Sequence, residues 1–325
     1  MHVEAHGVMR SFRLVAAAAA LTAAAAVAPT AVASPGSDGG PTKLVALGDS
    51  YASGPLIPVQ TEQPWGCLRS SNNYAHQLAR TLDLDLTDVT CSGAQTEDMW
   101  ETQGVSPEEE LGSGGNPPQL EALTADTDIV TLQIGGNDIG FSNLAFTCGE
   151  GALREAGGQD TSCTSAVEAK DPFGAIADTA PLIVEVLEGI HARSPDASIY
   201  VLGYPGIFKI GETARCDAMG VGEDDARYLR SIHEALNAMI REVAERDGQT
   251  YSDVTTYVDV YGPSAGHTAC DLPVIRWVEP IVPVNAAAPV HPNLGGMTAV
   301  AELLADAVWP ADVPRRSAPP ISLGI

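Results

Sequence analysis

The sequence predicts a three-layer α/β/α domain built around a parallel sheet of about five strands. Short β-prone apolar segments alternate along the chain with segments whose apolar residues recur at helical spacing, a pattern typical of parallel sheets covered by helices on both faces. Four of the five predicted strands are apolar almost throughout, as expected for strands that are buried on both sides. No internal repeat or long linker divides the chain, which favours one large domain.

The order of the predicted elements is that of a flavodoxin-like fold. The strands are Lys43–Leu47, Asp85–Thr90, Ile129–Ile134, Ser198–Leu202 and Thr255–Val260. The helices are Asn72–Leu82, Pro118–Ala125, Phe173–Arg193, Asp224–Arg246 and Gly296–Val308. Pro181 predicts that the third helix begins or kinks there, because proline removes a backbone donor. The segments Glu101–Pro118 and Phe141–Asp171 are predicted to be loops, the second of them long and polar.

The N-terminal region has the features of a secretory signal peptide. Arg10 and Arg13 precede the alanine-rich apolar run Leu14–Ala28, and Ala31-Val32-Ala33 supplies small residues for cleavage. The run is shorter than the roughly 20 residues that span a bilayer, so we expect secretion without stable membrane insertion. The expected boundaries are a signal peptide at 1–33, a flexible leader at 34–41 and a single domain at 42–325.

Cysteine content and charge narrow the class of protein further. The six cysteines all follow the predicted signal peptide: Cys67, Cys91, Cys148, Cys163, Cys216 and Cys270. An even number in an exported chain predicts three disulfides, for which fifteen pairings exist. The cysteines and histidines lack metal-ligand spacing, so no metal is expected. With 42 acidic and 17 basic side chains the net charge is −25, which opposes binding to nucleic acid or to anionic membranes.

A candidate nucleophile follows the first predicted strand. Gly48-Asp49-Ser50 is ordinary turn sequence taken alone. However, chemistry concentrates at the carboxyl ends of parallel strands, because loops and helix N-termini there leave backbone N–H groups unpaired. A serine nucleophile also needs a base and donors for the oxyanion.

Three later segments supply those groups. His291 lies before the last predicted helix, beside Pro292, whereas His76, His191 and His233 fall within helical patterns that packing explains. Gly93 follows the second strand and offers a backbone N–H. Asn137, in Gly135-Gly136-Asn137-Asp138, follows the third strand and offers a side-chain N–H.

These segments together resemble the SGNH, or GDSL, hydrolase family, and in particular its secreted actinobacterial lipases and esterases. The matching blocks occur in family order: Gly48-Asp49-Ser50-Tyr51-Ala52-Ser53-Gly54, Cys91-Ser92-Gly93-Ala94, Gly135-Gly136-Asn137-Asp138 and His291-Pro292-Asn293. The resemblance implies that Ser50 is the nucleophile and His291 the base, with the Ser50 N–H, the Gly93 N–H and Asn137 as the oxyanion hole. It also implies sequential disulfides, namely Cys67–Cys91, Cys148–Cys163 and Cys216–Cys270.

One position departs from the family pattern. Many members carry an aspartate three residues before the histidine, where it orients the ring, but this chain has Ala288 there. In some of the secreted relatives a backbone carbonyl replaces the carboxylate. We therefore expect the Ala288 carbonyl to accept from His291, so that Ser50 and His291 act as a dyad.

A second serine offers a competing interpretation. Gly262-Pro263-Ser264-Ala265-Gly266 fits the nucleophile elbow of α/β-hydrolases, and Asp271 and His291 follow in the expected order. An elbow requires a helix directly after the serine, and no helical pattern follows Ser264. This alternative is therefore disfavoured.

The expected function is that of a monomeric serine ester hydrolase, a lipase or carboxylesterase without a cofactor, acting on acylglycerols or fatty acyl esters. Phospholipase A-type and polysaccharide acetylesterase activities are alternatives on the same site, because the fold does not fix the substrate. A secreted binding module without catalysis would not need the four-part set of groups. Tyr51, Pro55, Leu56 and Phe141 are candidates for the acyl groove, although core packing explains each of them equally well.

Overall fold

The structure is a computed structural model that describes residues 40, 42–61, 64–105, 115–155, 163–211 and 216–309. The predicted signal peptide, and the leader except Gly40, lie outside the described residues. The strands are β1 Lys43–Gly48, β2 Asp85–Asp88, β3 Ile129–Gln133, β4 Ser198–Leu202 and β5 Thr255–Val258. The helices are α1 Ser50–Ser53, α2 Tyr74–Leu82, α3 Phe141–Glu155, α4 Thr164–Glu168, α5 Pro172–Arg193, α6 Glu223–Thr250 and α7 Leu294–Val308.

The five strands form one parallel sheet in the order β2-β1-β3-β4-β5. This is the strand order of flavodoxin-like folds, as the sequence predicts. The order reverses at β1, which pairs with β2 on one side and with β3 on the other. Ligands bind at such a switch point, beyond the carboxyl ends of the strands. Gly48 ends β1 there, opposite Gln133 at the end of β3.

Alternate side chains of each central strand build two cores on opposite faces of the sheet. In β1, Val45 and Leu47 belong to a core shared with α3, α5 and α6, whereas Leu44 and Ala46 belong to a core shared with α2 and α7. This period of two is what the pleat of a strand requires, and it produces the three predicted layers.

Pro181 lies inside a helix, so the first of its two predicted outcomes, a helix that begins there, is wrong. Helix α5 runs from Pro172 through Pro181 to Arg193. Pro181 is exposed, and so is Ala177, whose carbonyl would otherwise accept the missing N–H. Water can satisfy that carbonyl, which lowers the penalty for proline inside the helix.

Two other predicted segments differ from the structure. The segment Phe141–Asp171 is not a loop throughout but contains helices α3 and α4, joined by the disulfide Cys148–Cys163. Polar, glycine-rich composition concealed its helical parts. The predicted helix Pro118–Ala125 is reduced to a single turn of 3-10 helix at Gln119–Ala122. Of the predicted loop Glu101–Pro118, residues 106–114 lie outside the description.

The three disulfides are the sequential pairs Cys67–Cys91, Cys148–Cys163 and Cys216–Cys270. The first bond fixes the segment after β2, where the Ser92 N–H also donates to the Cys67 carbonyl at 3.0 Å. Gly93 follows directly. This disulfide therefore anchors one of the segments that the sequence assigns to the site.

Candidate active site

Ser50 lies on the sharp turn between β1 and α1. Gly48 ends the strand with a φ of 149°, and a Cβ there would lie 2.6 Å from the Gln133 carbonyl oxygen, so only glycine fits. Asp49 caps α1 by accepting the Tyr51 N–H at 2.8 Å. This turn presents Ser50 as the first residue of the helix, at the switch point of the sheet.

His291 contacts Ser50 directly. Its Nε2 lies 2.8 Å from the Ser50 Oγ, across 241 positions of sequence. Its Nδ1 lies 2.7 Å from the Pro289 carbonyl oxygen. Since a carbonyl can only accept, Nδ1 carries the ring proton and Nε2 is left as the acceptor of the serine hydroxyl.

The carbonyl that orients the His291 ring is that of Pro289. The prediction that the Ala288 carbonyl accepts from this ring is therefore wrong by one residue. The Ala288 carbonyl is instead the acceptor of the His291 backbone N–H, at 3.2 Å. Val290 between them has a φ of 63°, and this turn brings the imidazole over the Pro289 carbonyl. The identity of the acceptor follows from a local backbone conformation that residue types do not reveal.

Tyr51 holds that turn in place. Val290 is a fully buried β-branched residue in the left-handed region, a conformation that persists only when surrounding contacts impose it. The Tyr51 hydroxyl donates to the Val290 carbonyl at 2.6 Å, and the Tyr51 ring lies 5.2 Å from the His291 ring. The residue next to the serine thus fixes the loop that carries the histidine.

The segments predicted to supply oxyanion donors lie beside the serine. Asn137 lines the same small cavity as Ser50, and its Nδ2 donates one hydrogen to the Ala94 carbonyl at 2.9 Å, which leaves the second available. Ser92, next to Gly93, is joined to Ser53 of α1 by a 2.9 Å contact between their hydroxyls. Within the described part of the chain, neither the Ser50 N–H nor the Gly93 N–H donates to another residue.

A buried carboxyl group, that of Asp49, adjoins Ser50. Burial raises the pKa of Asp49 to about 7, although the hydrogen bonds from Tyr204 and from the Tyr51 N–H oppose the shift. The Tyr204 hydroxyl donates to Asp49 at 2.6 Å and accepts the Gly136 N–H at 2.9 Å. Tyr204 therefore connects the serine turn to the segment that carries Asn137.

The pKa of the His291 imidazole is also shifted. Burial lowers the pKa of His291 below its ordinary value of 6.5, and the hydrogen bond to the Pro289 carbonyl opposes this only in part. The ring consequently stays neutral to lower pH than an exposed histidine would. A neutral imidazole whose Nε2 carries no proton is the form that a general base requires.

Comparisons with known proteins agree with this geometry. The model of the GDSL-like lipase/acylhydrolase family matches residues 46–299. A protein named lipase 2 from Streptomyces coelicolor is 40% identical over 291 residues, which cover 87% of this chain and 89% of that protein. The chain belongs to the GDSL-like lipase/acylhydrolase family.

Two solved structures resemble this GDSL hydrolase over nearly their whole length. The extracellular lipase of Streptomyces rimosus is 27% identical with a TM-score of 0.64, covering 82% of this chain and 99% of that one. Phospholipase A1 of Streptomyces albidoflavus is 25% identical with a TM-score of 0.63, covering 83% and 99%. This GDSL hydrolase is accordingly a carboxylic ester hydrolase of the lipase and esterase type.

The competing serine of this GDSL hydrolase has a structural role. Ser264 is fully buried, and its Oγ accepts the Gly206 N–H at 2.7 Å and donates to the Tyr261 carbonyl at 2.6 Å. Turns rather than a helix follow it. Ser264 therefore stabilises the segment after β4 and lacks the helix that a nucleophile elbow requires.

A cavity of about 10 Å³ lies against Ser50 and has room for roughly one water molecule. Its walls include Tyr51 and Phe141, two of the predicted groove residues, whereas Pro55 and Leu56 do not line it. Tyr204, His233 and Leu236 complete the walls and were not foreseen. Burial lowers the pKa of His233 to about 3, so the His233 ring is uncharged at neutral pH.

The loop that carries His291 is built on a buried polar frame that sequence reasoning missed. Glu279 is fully buried and accepts from the side chains of Asn285 and Asn293, at 2.8 and 2.7 Å. Burial raises the pKa of Glu279, but these hydrogen bonds outweigh it, and the net shift is downward. Asn293 also caps α7. The glutamate thus joins the loop to the helix that follows His291.

The described ranges contain no group of three or more histidine, cysteine, aspartate or glutamate side chains arranged to hold a metal ion. Among the helices that the structure describes, none is long and apolar enough to cross a membrane.

Proposed function

We propose that this enzyme hydrolyses acylglycerols and fatty acyl esters through an acyl-enzyme formed on Ser50. The observation that carries the proposal is the hydrogen-bonded series from the Ser50 Oγ to His291 Nε2, at 2.8 Å, and from His291 Nδ1 to the Pro289 carbonyl, at 2.7 Å. A nucleophile in contact with a base that is itself oriented by a third group is the arrangement that acyl transfer requires.

The reaction follows from these contacts. Ser50 Oγ attacks the ester carbonyl while His291 Nε2 takes the hydroxyl proton, and the imidazolium then returns this proton to the leaving alcohol. Water, deprotonated by the same nitrogen, attacks the acyl-enzyme and releases the carboxylic acid. The charge that develops on the carbonyl oxygen is stabilised by the Ser50 N–H, the Gly93 N–H and the Asn137 amide.

A phospholipase A-type activity is the second candidate. It uses the same acyl chemistry, and the likeness to the Streptomyces albidoflavus phospholipase A1 is comparable to the likeness to the Streptomyces rimosus lipase. The cavity that Ser50 lines is partly open to solvent, so the length of the acyl chain is the first variable to measure.

We also propose that the protein is secreted and works as a monomer. The signal-like features of residues 1–33 and the three disulfides support export. The groups assigned to the reaction all come from one chain, so a partner subunit is not needed to complete the site. Residues 42–325 then form a single catalytic domain.

Hydrolysis of p-nitrophenyl esters of increasing acyl length tests the proposal, with a phospholipid and an acetylated xylan as further substrates. Ser50→Ala should lower kcat by about 10³-fold or more, because both the nucleophile and its bond to His291 are lost. Ser264→Ala, which alters a buried serine, is the matched control and should keep kcat within a few-fold. Retained activity in Ser50→Ala would reject the proposal.

A further inference from the structure

The segment 272–294, which leads into and past His291, carries an unusual number of exposed apolar side chains. Val274 is 89% exposed and Val282 75% exposed, values far from those of core residues. We call the following set the apolar rim: Leu272, Val274, Ile275, Val282, Val284 and Leu294. Single exposed apolar residues are ordinary, but a group on one short segment marks an interaction surface.

The same segment presents no charge to solvent. Residues 272–301 are all described, and the ionic side chains among them are Arg276 and Glu279, both buried. Arg276 donates to the Asp271 carbonyl and lies 3.9 Å from Glu279. A chain with 42 acidic and 17 basic side chains thus contains a segment, 272–294, that itself contributes no exposed Asp, Glu, Lys or Arg side chain.

The buried frame holds the rim in a fixed shape. Glu279 accepts the Val284 N–H at 2.8 Å, and Asn285 donates to the Pro273 carbonyl at 2.9 Å. These bonds join the turn that carries Val274 to the turn that carries Val284. The apolar tips are therefore held outward by a satisfied polar interior and need no refolding to meet a partner.

The rim is continuous with the active site. The Ala288 N–H donates to the Pro55 carbonyl at 2.9 Å, which joins the segment to the loop that follows Ser50. Leu56, next to Pro55, is itself half exposed. The segment that carries the rim is thereby tied to the loop that follows Ser50, and it also carries His291.

We propose that the apolar rim docks the enzyme onto aggregated ester lipid that carries no net charge. Apolar side chains gain free energy by leaving water for the acyl region of such a surface. The net charge of −25 opposes anionic surfaces, and the rim offers no cation to attract them. This inference rests on the proposed action on lipid esters and adds the surface by which the enzyme reaches them.

The test measures binding to lipid vesicles separately from ester hydrolysis. Val274→Asp/Val282→Asp introduces charge at the two most exposed valines of the rim, and Val274→Ser is a milder second variant. Val184→Asp, at a 40% exposed valine of α5, is the matched control. Binding is measured by co-sedimentation with vesicles of ether-linked phosphatidylcholine, which the enzyme cannot hydrolyse. Activity is measured on dissolved p-nitrophenyl butyrate and on emulsified tributyrin.

The double variant should bind the vesicles at least ten-fold more weakly and lose a similar factor on the emulsion, with the dissolved-ester rate unchanged. Val274→Ser should show a smaller loss of the same kind, and Val184→Asp none. Unchanged vesicle affinity in the double variant would overturn the inference. So would a wild-type dimer that the double variant dissociates in sedimentation analysis, because the rim would then join two copies. Absence of dissolved-ester hydrolysis in the wild type would instead reject the proposed function.

Discussion

At the scale of single residues, His291, the proposed base, is oriented by a main-chain atom. A carboxylate in this place would stabilise an imidazolium by charge, whereas the Pro289 carbonyl offers only a dipole. Burial lowers the pKa of His291, and the hydrogen bond to the Pro289 carbonyl opposes this only in part. The ring is thereby kept neutral, and in the proposed reaction its conjugate acid is a strong proton donor to the leaving alcohol.

This arrangement predicts the acidic limb of the pH–rate profile. Because the pKa of His291 lies below 6.5, the imidazole stays neutral as the pH falls past that value, and kcat/KM should decline only at lower pH. The profile of kcat/KM for a soluble ester measures this pKa in the free enzyme. An acidic limb centred above 6.5 would contradict the assigned environment of His291.

Asp49 predicts a separate effect of pH, on stability. Burial raises its pKa from 3.8 to about 7, so the folded protein binds this proton more tightly than the unfolded chain does. The resulting stabilisation is complete below pH 3.8 and is lost as the pH rises to about 7. Asp49→Asn keeps an acceptor for the Tyr51 N–H but does not titrate.

Urea unfolding of the wild type and of Asp49→Asn at several pH values tests this predicted pH dependence of stability. The free energy of unfolding of the wild type, relative to Asp49→Asn, should fall between pH 4 and pH 7. A difference that is constant over this range would show that Asp49 titrates normally.

At the scale of elements, the site depends on how loops are tied to the sheet. The Cys67–Cys91 disulfide fixes the segment that carries Gly93, whereas Cys216–Cys270 ties two segments outside the catalytic turn and the donor loops. Both bonds close loops, of 24 and 54 residues, so each should contribute about 3 to 4 kcal/mol to stability on the loop-entropy estimate.

Removal of the two disulfides should therefore separate stability from catalysis. Cys67→Ser/Cys91→Ser is expected to lower both the free energy of unfolding and kcat, because the Gly93 N–H loses its fixed position. Cys216→Ser/Cys270→Ser should lower stability with kcat within a few-fold of the wild type at a temperature where both remain folded. Equal effects on kcat would argue against a positioning role for the first disulfide.

At the scale of the whole molecule, the sequence predicts the sheet and the four-part set of site segments because both follow from simple rules. Parallel strands bring their carboxyl ends to one edge, so a serine, a glycine and an asparagine that follow three strands lie near one another. Tyr204 follows a fourth strand in the same way, and its position could have been noticed. The hydrogen bonds of Tyr204 with Asp49 and Gly136 could not have been predicted from the sequence, because they depend on the packing of three loops.

Other features depended on information that residue types do not contain. The Pro289 carbonyl became the acceptor through the φ of one residue, Val290. Glu279 belongs to no recognisable sequence motif, because its role in holding the His291 loop comes from its burial beneath a loop without regular structure. Helix α3 was concealed by a composition that is as compatible with a loop as with a helix.

In the proposed reaction Ser50, and not another serine, forms the covalent acyl-enzyme. Mapping the adduct of a fluorophosphonate probe by peptide mass spectrometry tests this most directly, since such a probe reacts with an activated serine and stays attached. One phosphonylated site, Ser50, is expected, with labelling abolished in Ser50→Ala and greatly slowed in His291→Ala. An adduct on Ser264, or labelling that persists in Ser50→Ala, would contradict it.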